Sequence, residues 1–224
     1  TVNGNLDQGG GNDGAIIRAG GIVQGGQLVQ GLGNDTLSVF GTVLGLVNQG
    51  AGDDCLTVET GGQVSGVSQG AGNDCVVVNG GAINGSVDQG SDDDRFEIGA
   101  GTVTGQVQQG DGIDDFAMTG GTINGSVDQG NGDDRFEISD GTITGQVQQG
   151  EGLDDFVMTG GEINVLNQGG ALDTFFMSGG RIVDAFDGGD TAQMTGGRIG
   201  RVNMKLGDNL FDMSGGTIVR NPVT

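Results

Sequence analysis

The 224-residue chain has no His, Trp or Tyr, one Pro, two Cys and one Lys, and its 30 acidic side chains stand against only 8 basic ones, for a net charge of −22. Without His, the usual general base is missing, and two cysteines alone make a poor metal site. The charge disfavours nucleic acid and anionic membrane surfaces as partners. No apolar run is long enough for a membrane helix, and no signal peptide is present in these residues. Helical periodicity is nowhere sustained, and 52 glycines oppose helix throughout.

What the chain does have is a repeat. Gln8, Gln30, Gln49, Gln69, Gln89, Gln109, Gln129, Gln149 and Gln168 each precede a glycine, and five residues after each stands Asp13, Asp35, Asp54, Asp74, Asp94, Asp114, Asp134, Asp154 or Asp173. The steps between the glutamines are 22, 19, then 20 five times, then 19, and the frame continues more weakly through Asp187 and Leu206. Self-similarity at this period means one supersecondary unit stacked on its neighbours, none able to bury its apolar face alone. Residues 81–120 and 121–160 are near copies, so the larger unit is a pair of coils.

Within a unit, apolar residues alternate at period two, as in strands. Thr122-Ile123-Asn124, Ser126-Val127-Asp128-Gln129 and Arg135-Phe136-Glu137-Ile138 are three short strands, with corners at Gly125, Gly130/Gly132 and Asp140-Gly141. Stacked coils set each strand about 4.8 Å from its copy. The expected fold is all-β, a right-handed parallel β-helix of about eleven coils. It is read as one unit over 1–224, with regular coils over 1–173 and degenerate ones over 174–224. A two-faced β-roll is the near alternative.

The stacking sorts residues into rows. Phe96, Phe116, Phe136, Phe156 and Phe175 form one inward column, and Val58, Val78, Ile98, Met118, Ile138, Met158 and Met177 another. Between them runs an outward row, Cys55, Cys75, Arg95, Asp115, Arg135 and Asp155, whose alternating charges suit surface ion pairs. Cys55 and Cys75 share one slot in adjacent coils, within disulfide reach, which predicts a coil-to-coil bridge and an oxidising compartment. The Gln row reads as a ladder of carboxamides pointing inward or toward a corner. An outward-facing Gln row would instead make a sugar-binding strip.

The corner Gly130-Asn131-Gly132-Asp133-Asp134-Arg135-Phe136 resembles the Gly-Gly-x-Gly-x-Asp-x-hydrophobic nonapeptide of RTX calcium-binding proteins, and it recurs at Gly50/Gly52/Asp54, Gly70/Gly72/Asp74, Gly110/Gly112/Asp114 and Gly150/Gly152/Asp154. Gln replaces the first Gly of that motif, and Gly90-Ser91-Asp92 lacks the second. The wider pattern, with Met-Thr-Gly-Gly or Met-Ser-Gly-Gly at Met118, Met158, Met194 and Met213, resembles the passenger domains of Gram-negative autotransporters over essentially the whole chain. That resemblance implies a fragment displayed on the bacterial outer-membrane surface or secreted, with Asn221-Pro222-Val223-Thr224 leading on toward further chain. Its partner would be a host-cell or bacterial surface receptor, or a second copy.

Two readings of the Asp row stand. Asp54, Asp74, Asp94, Asp114, Asp134 and Asp154 are candidate calcium ligands, since Ca²⁺ takes carboxylate and carbonyl oxygens that stacked glycine corners supply, with Asp53, Asp93 and Asp133 as second carboxylates. The same motif is good turn chemistry by itself, with Asp bonding its own backbone. Calcium is thus a possible ion rather than a required cofactor. Adjacent carboxylates such as Asp133 and Asp134 point to opposite faces and the corners are short, which disfavours a polysaccharide-acting enzyme. Thr102, Thr104, Thr142 and Thr144 resemble the rows of flat ice-binding β-helices, broken by Asn84 and Asn124. The expectation is a non-enzymatic extracellular structural or adhesive module, with a calcium-stabilised RTX-like roll as the alternative.

Overall fold

The computed structural model describes residues 1–188 and 190–219, so Asn221-Pro222-Val223-Thr224 lie outside the described residues. These residues form 24 strands and no helix. Every strand pairs in parallel with its copy in the neighbouring coil. Phe116, for example, sits beside Phe96 on one side and Phe136 on the other, and Val127 lies between Val107 and Val147. The third strand of a coil recurs in eleven rungs, from Gly14–Ile17 through Arg135–Glu151 to Leu210–Met213. Three strand directions per coil make this a β-helix rather than a two-faced roll.

The corners differ from one another. At the corner between the third strand and the next first strand the middle coils run on without a break, as in Cys75–Ile83, Arg95–Val103, Asp115–Ile123 and Arg135–Glu151, the last passing Asp140-Gly141 and Gly145, whereas Cys55–Glu59 and Asp155–Met158 stop before it. The direction changes by a register shift near Thr119, which is a β-bulge rather than a loop. The second strand begins one residue later than its composition suggests, at Val127, and continues through Gly130 to Asn131.

The core is a set of columns. Val103, Ile123 and Ile143 come from the first strand, Val107, Val127 and Val147 from the second, and the Phe and Ile/Met columns from the third; all are buried. The phenylalanines stack face to face with centroids 4.2–5.6 Å apart. The last member of that stack is Phe186, from the second strand. Asp187 pairs with Asn167, so Gly188 falls in the slot of the Gln column. A Cβ there would collide with the Phe186 ring, which takes the space a glutamine would occupy. The weak continuation of the frame through Asp187 is therefore a change of slot. Cys55 and Cys75 are disulfide-bonded, with Cα atoms 4.6 Å apart.

Candidate functional site: a buried carboxylate column at the glycine corners

The corner from Gln129 to Arg135 shows how the repeat builds its site. The Gln side chains point inward and are fully buried from Gln30 to Gln168. Gln49 Nε2 donates to Gln30 Oε1 at 2.9 Å, Gln69 to Gln49 at 2.9 Å and Gln149 to Gln129 at 3.2 Å. The same nitrogen of Gln129 also donates to the Arg135 carbonyl at 3.1 Å, and that of Gln69 to the Cys75 carbonyl at 2.9 Å. Gln30, Gln69, Gln89, Gln129, Gln149 and Gln168 are thus both rungs of a ladder and straps across the mouths of their own corners, whereas Gln49 is a rung alone and Gln109 straps its corner without reaching Gln89. With its carboxamides turned inward, this row does not itself form a strip on the surface.

Inside the strapped corner lies the Asp. Asp35, Asp54, Asp74, Asp94, Asp114, Asp134, Asp154 and Asp173 are at most 2% exposed. Oδ1 of each accepts the backbone N–H of its counterpart one coil earlier: Asp54 N–H to Asp74 at 2.8 Å, Asp94 to Asp114 at 2.8 Å, Asp134 to Asp154 at 3.0 Å. The carboxylate does not bond its own backbone, as isolated turn chemistry would have it, because the stack brings a neighbour's N–H closer. Oδ2 of every one of these residues, and of Asp13, has no hydrogen-bond partner.

A second ladder runs beside the first in the opposite sense. Asp53 Oδ1 accepts the N–H of Asn73 at 3.0 Å, Asn73 that of Asp93 at 3.2 Å, and Asp93 that of Ile113 at 2.8 Å. Asp53, Asp93 and Asp133 are therefore outward side chains tied to the following coil, on the opposite face from their buried neighbours. Asn12, Asn34 and Asn73 fill the same slot; the signal in the sequence is an Asx before the invariant Asp. The missing glycine at position 92 does not open its corner, since Asp92 itself adopts φ +80°, a conformation Asp tolerates better than most residues.

Eight buried carboxylates at ladder spacing carry a heavy electrostatic load. Burial pushes Asp54, Asp114 and Asp154 up to about 6, Asp74, Asp134 and Asp173 to about 7, and Asp94 to about 8. The accepted N–H opposes that rise, and neighbouring carboxylates add to it. The column needs either protons or cations. Each corner offers one inward carboxylate, and no group of three or more His, Cys, Asp or Glu among the described residues could hold a metal by itself. The remaining ligands for a hard cation would have to be backbone carbonyls and water, the donor set that Ca²⁺ accepts. The corner glycines fit that demand. A Cβ on Gly130 would collide with the Gly110 carbonyl oxygen, and one on Gly150 with that of Gly130.

No protein-family model matches the chain, and no curated protein matches it significantly. Among solved structures, the chain is similar to a hyperactive, Ca²⁺-dependent, β-helical antifreeze protein from an Antarctic bacterium. The two share 26% identity and a TM-score of 0.70, over 99% of this chain and 69% of that one. Other surface features are shallow: two dips beside Ala117 and a polar groove over Ser126 between Gln106 and Gln146.

Proposed function

We propose that this chain is a non-enzymatic extracellular module: a β-helical shaft whose glycine corners are loaded with calcium and whose acidic outer faces serve adhesion or self-association, as in an autotransporter passenger. The observation that carries the calcium reading is the column of buried Asp residues, each with one carboxylate oxygen lacking any partner. Asp54, Asp74, Asp94, Asp114, Asp134 and Asp154 would supply the charged ligand at successive corners, and the adjacent glycine carbonyls the neutral ones. Bound Ca²⁺ would neutralise the column and occupy the unpaired oxygens. The Ca²⁺ dependence of the similar antifreeze protein supports this reading, and the Cys55–Cys75 disulfide supports an oxidising, extracellular setting.

Thermal unfolding followed by circular dichroism tests it. Millimolar calcium should raise the midpoint by on the order of 10 °C over the EDTA-treated protein, since a ligand that binds only the folded state stabilises it. Equal midpoints, with no calcium heat in calorimetry, would reject calcium loading. Adhesion is read separately, by clumping of cells that display the chain against cells that do not.

Ice binding has narrower support. Thr102, Thr122 and Thr142 stand in register on one face, with Thr104, Asn124 and Thr144 beside them. The row passes into Ala82 and Gln63 on one side and Glu162 and Arg181 on the other, so the regular patch is three coils long.

A further inference from the structure

The outward face of the third strand carries three columns. The first reads Cys75, Arg95, Asp115, Arg135, Asp155, Thr174; the second Val77, Glu97, Ala117, Glu137, Val157, Phe176; the third Asn79, Gly99, Thr119, Ser139, Thr159, Ser178. Arg95 and Arg135 lie 3.6 and 3.5 Å from Asp115, and each also pairs with the Glu two residues on. Asp155 accepts from Thr174 Oγ1 at 2.5 Å and has no ion-pair partner among the described residues. Arg95 is 55% exposed.

Along the axis the first column reads plus, minus, plus, minus, and reversed it reads minus, plus, minus, plus. A two-fold axis perpendicular to the solenoid, lying in the face between the Asp115 and Arg135 rungs, sets each column against its own reversed copy. Arg95 then meets Asp155 of a second molecule, and Asp115 meets Arg135. The same axis sets Glu97 against Val157 and Glu137 against Ala117, so long side chains face the shallow dips that flank Ala117. Val77 meets Phe176, apolar against apolar. Farther out, Glu59 meets Thr195 and Asp212 meets Ser38, so no like charges face each other.

Other registers fit less well: an axis between the Arg135 and Asp155 rungs keeps only the Arg135–Asp155 opposition and leaves Arg95 and Asp115 against Thr191 and Thr174. Moving the axis onto the Asp115 rung opposes Asp115 to itself and Arg95 to Arg135. A two-fold axis parallel to the solenoid opposes Glu97 to Glu97 and Glu137 to Glu137. We infer that the third-strand face docks a second copy of this chain, antiparallel, about the dyad between Asp115 and Arg135, giving a closed dimer. The inference rests on the self-association part of the proposed function and fixes its partner; it is independent of calcium. The central eight rungs give a patch of roughly 35 by 14 Å, on the order of 500 Å² a side. That is the small end of specific interfaces, which predicts a weak, reversible dimer.

Sedimentation equilibrium in about 0.15 M salt, where the Debye length of about 8 Å screens the overall repulsion, should show a monomer–dimer equilibrium between about 10 and 500 μM. The variant Arg95→Asp/Arg135→Asp should be monomeric with unchanged circular dichroism, because exposed ion pairs contribute little to folding. Reversing the whole column, with Arg95→Asp, Asp115→Arg, Arg135→Asp and Asp155→Arg, should restore a homodimer that does not mix with wild type in a fluorescence-transfer assay. A monomeric wild type at about 500 μM, assembly beyond the dimer, or free mixing of the reversed and wild-type chains would each overturn the inference. A monomeric protein that still clumps displaying cells sinks the dimer and leaves the adhesive reading standing, whereas a dimer without clumping does the reverse.

Discussion

Coils 30–173 and the coils after Thr174 solve the same packing problem by different means. In the first region every corner holds a buried Gln and a buried Asp, most of the Gln side chains strap their corners, and from Phe96 onward Phe rings stack on Phe rings. In the second the Gln and Asp columns have ended, Ala192 replaces Phe in the third strand, and Phe186 leans over from the second strand to cover Phe175 with ring centroids 4.2 Å apart. Strand pairing persists, with Ile182 on Ile199 and Met194 on Met213, but Leu206 is fully exposed and Leu210 is 59% exposed. Apolar columns are therefore enough to stack coils. The Gln and Asp columns add something more local, a tight corner that holds carboxylates out of water.

The largest difference between the regions should come from a corner glycine. Gly130 has φ +107° and no room for a Cβ beside Gly110, whereas Gly207 has φ +137° and no atom nearer than 3.6 Å to such a Cβ. Gly130→Ala should lower stability by about 3 kcal/mol or more and Gly207→Ala by about 1 kcal/mol, read from urea midpoints. Equal losses would erase the distinction between tight and open corners.

A smaller effect, of opposite sign to ordinary acid denaturation, should follow from the carboxylates. The folded values of the corner carboxylates from Asp54 to Asp173, about 6 to 8, lie above the ordinary Asp value near 4, so the folded state binds more protons between these limits. Stability from this source is fully present below about pH 4 and is lost as pH rises through 6 to 8. The metal-free protein should therefore melt lower at pH 8 than at pH 5, and amide exchange should place the loss in the coils from Gln49 to Asp173 and spare the coils after Thr174. A metal-free midpoint that rises over that interval would contradict the buried column.

The smallest effect is a gain. Asp92 holds a positive φ where the neighbouring corners of the run have the positive-φ glycines Gly72 or Gly132, and Asp92→Gly should stabilise the chain by up to about 1 kcal/mol, less whatever is lost with the contact from the Gly72 N–H to its carboxylate. A clear loss would show that this contact matters more than the backbone strain.

Most of the fold is legible in the residues. A period of about twenty, alternation within segments and glycine between them give the coil, the Phe and Met columns, and the reach of Cys55 to Cys75. The outward direction of Asp133 against the inward direction of Asp134 follows from strand alternation alone. The partners of the polar columns are not legible, because a single coil does not contain them. The Asp54 carboxylate finds the Asp35 N–H only after stacking, and Gln129 reaches the Arg135 carbonyl only once the corner has closed. Phe186 escapes for another reason: its coil shortens, the frame shifts, and its ring fills space left by Gly188 rather than a position of its own column.

The inner Asp ladder also has a direction. Each buried corner N–H is accepted by the carboxylate of the coil that follows it in the chain, as Asp35 is by Asp54 and Asp114 by Asp134. A coil added to the N-terminal side of a finished stack finds its acceptor already fixed in place. A coil added to the C-terminal side leaves its own corner N–H waiting for residues not yet folded, and an unsatisfied buried donor costs about 1–3 kcal/mol. The outer Asx ladder runs the other way, with the Asn73 N–H held by Asp53, so a finished stack presents a ready acceptor at both ends: the inner carboxylate to a coil arriving on the N-terminal side, the outer one to a coil arriving on the C-terminal side.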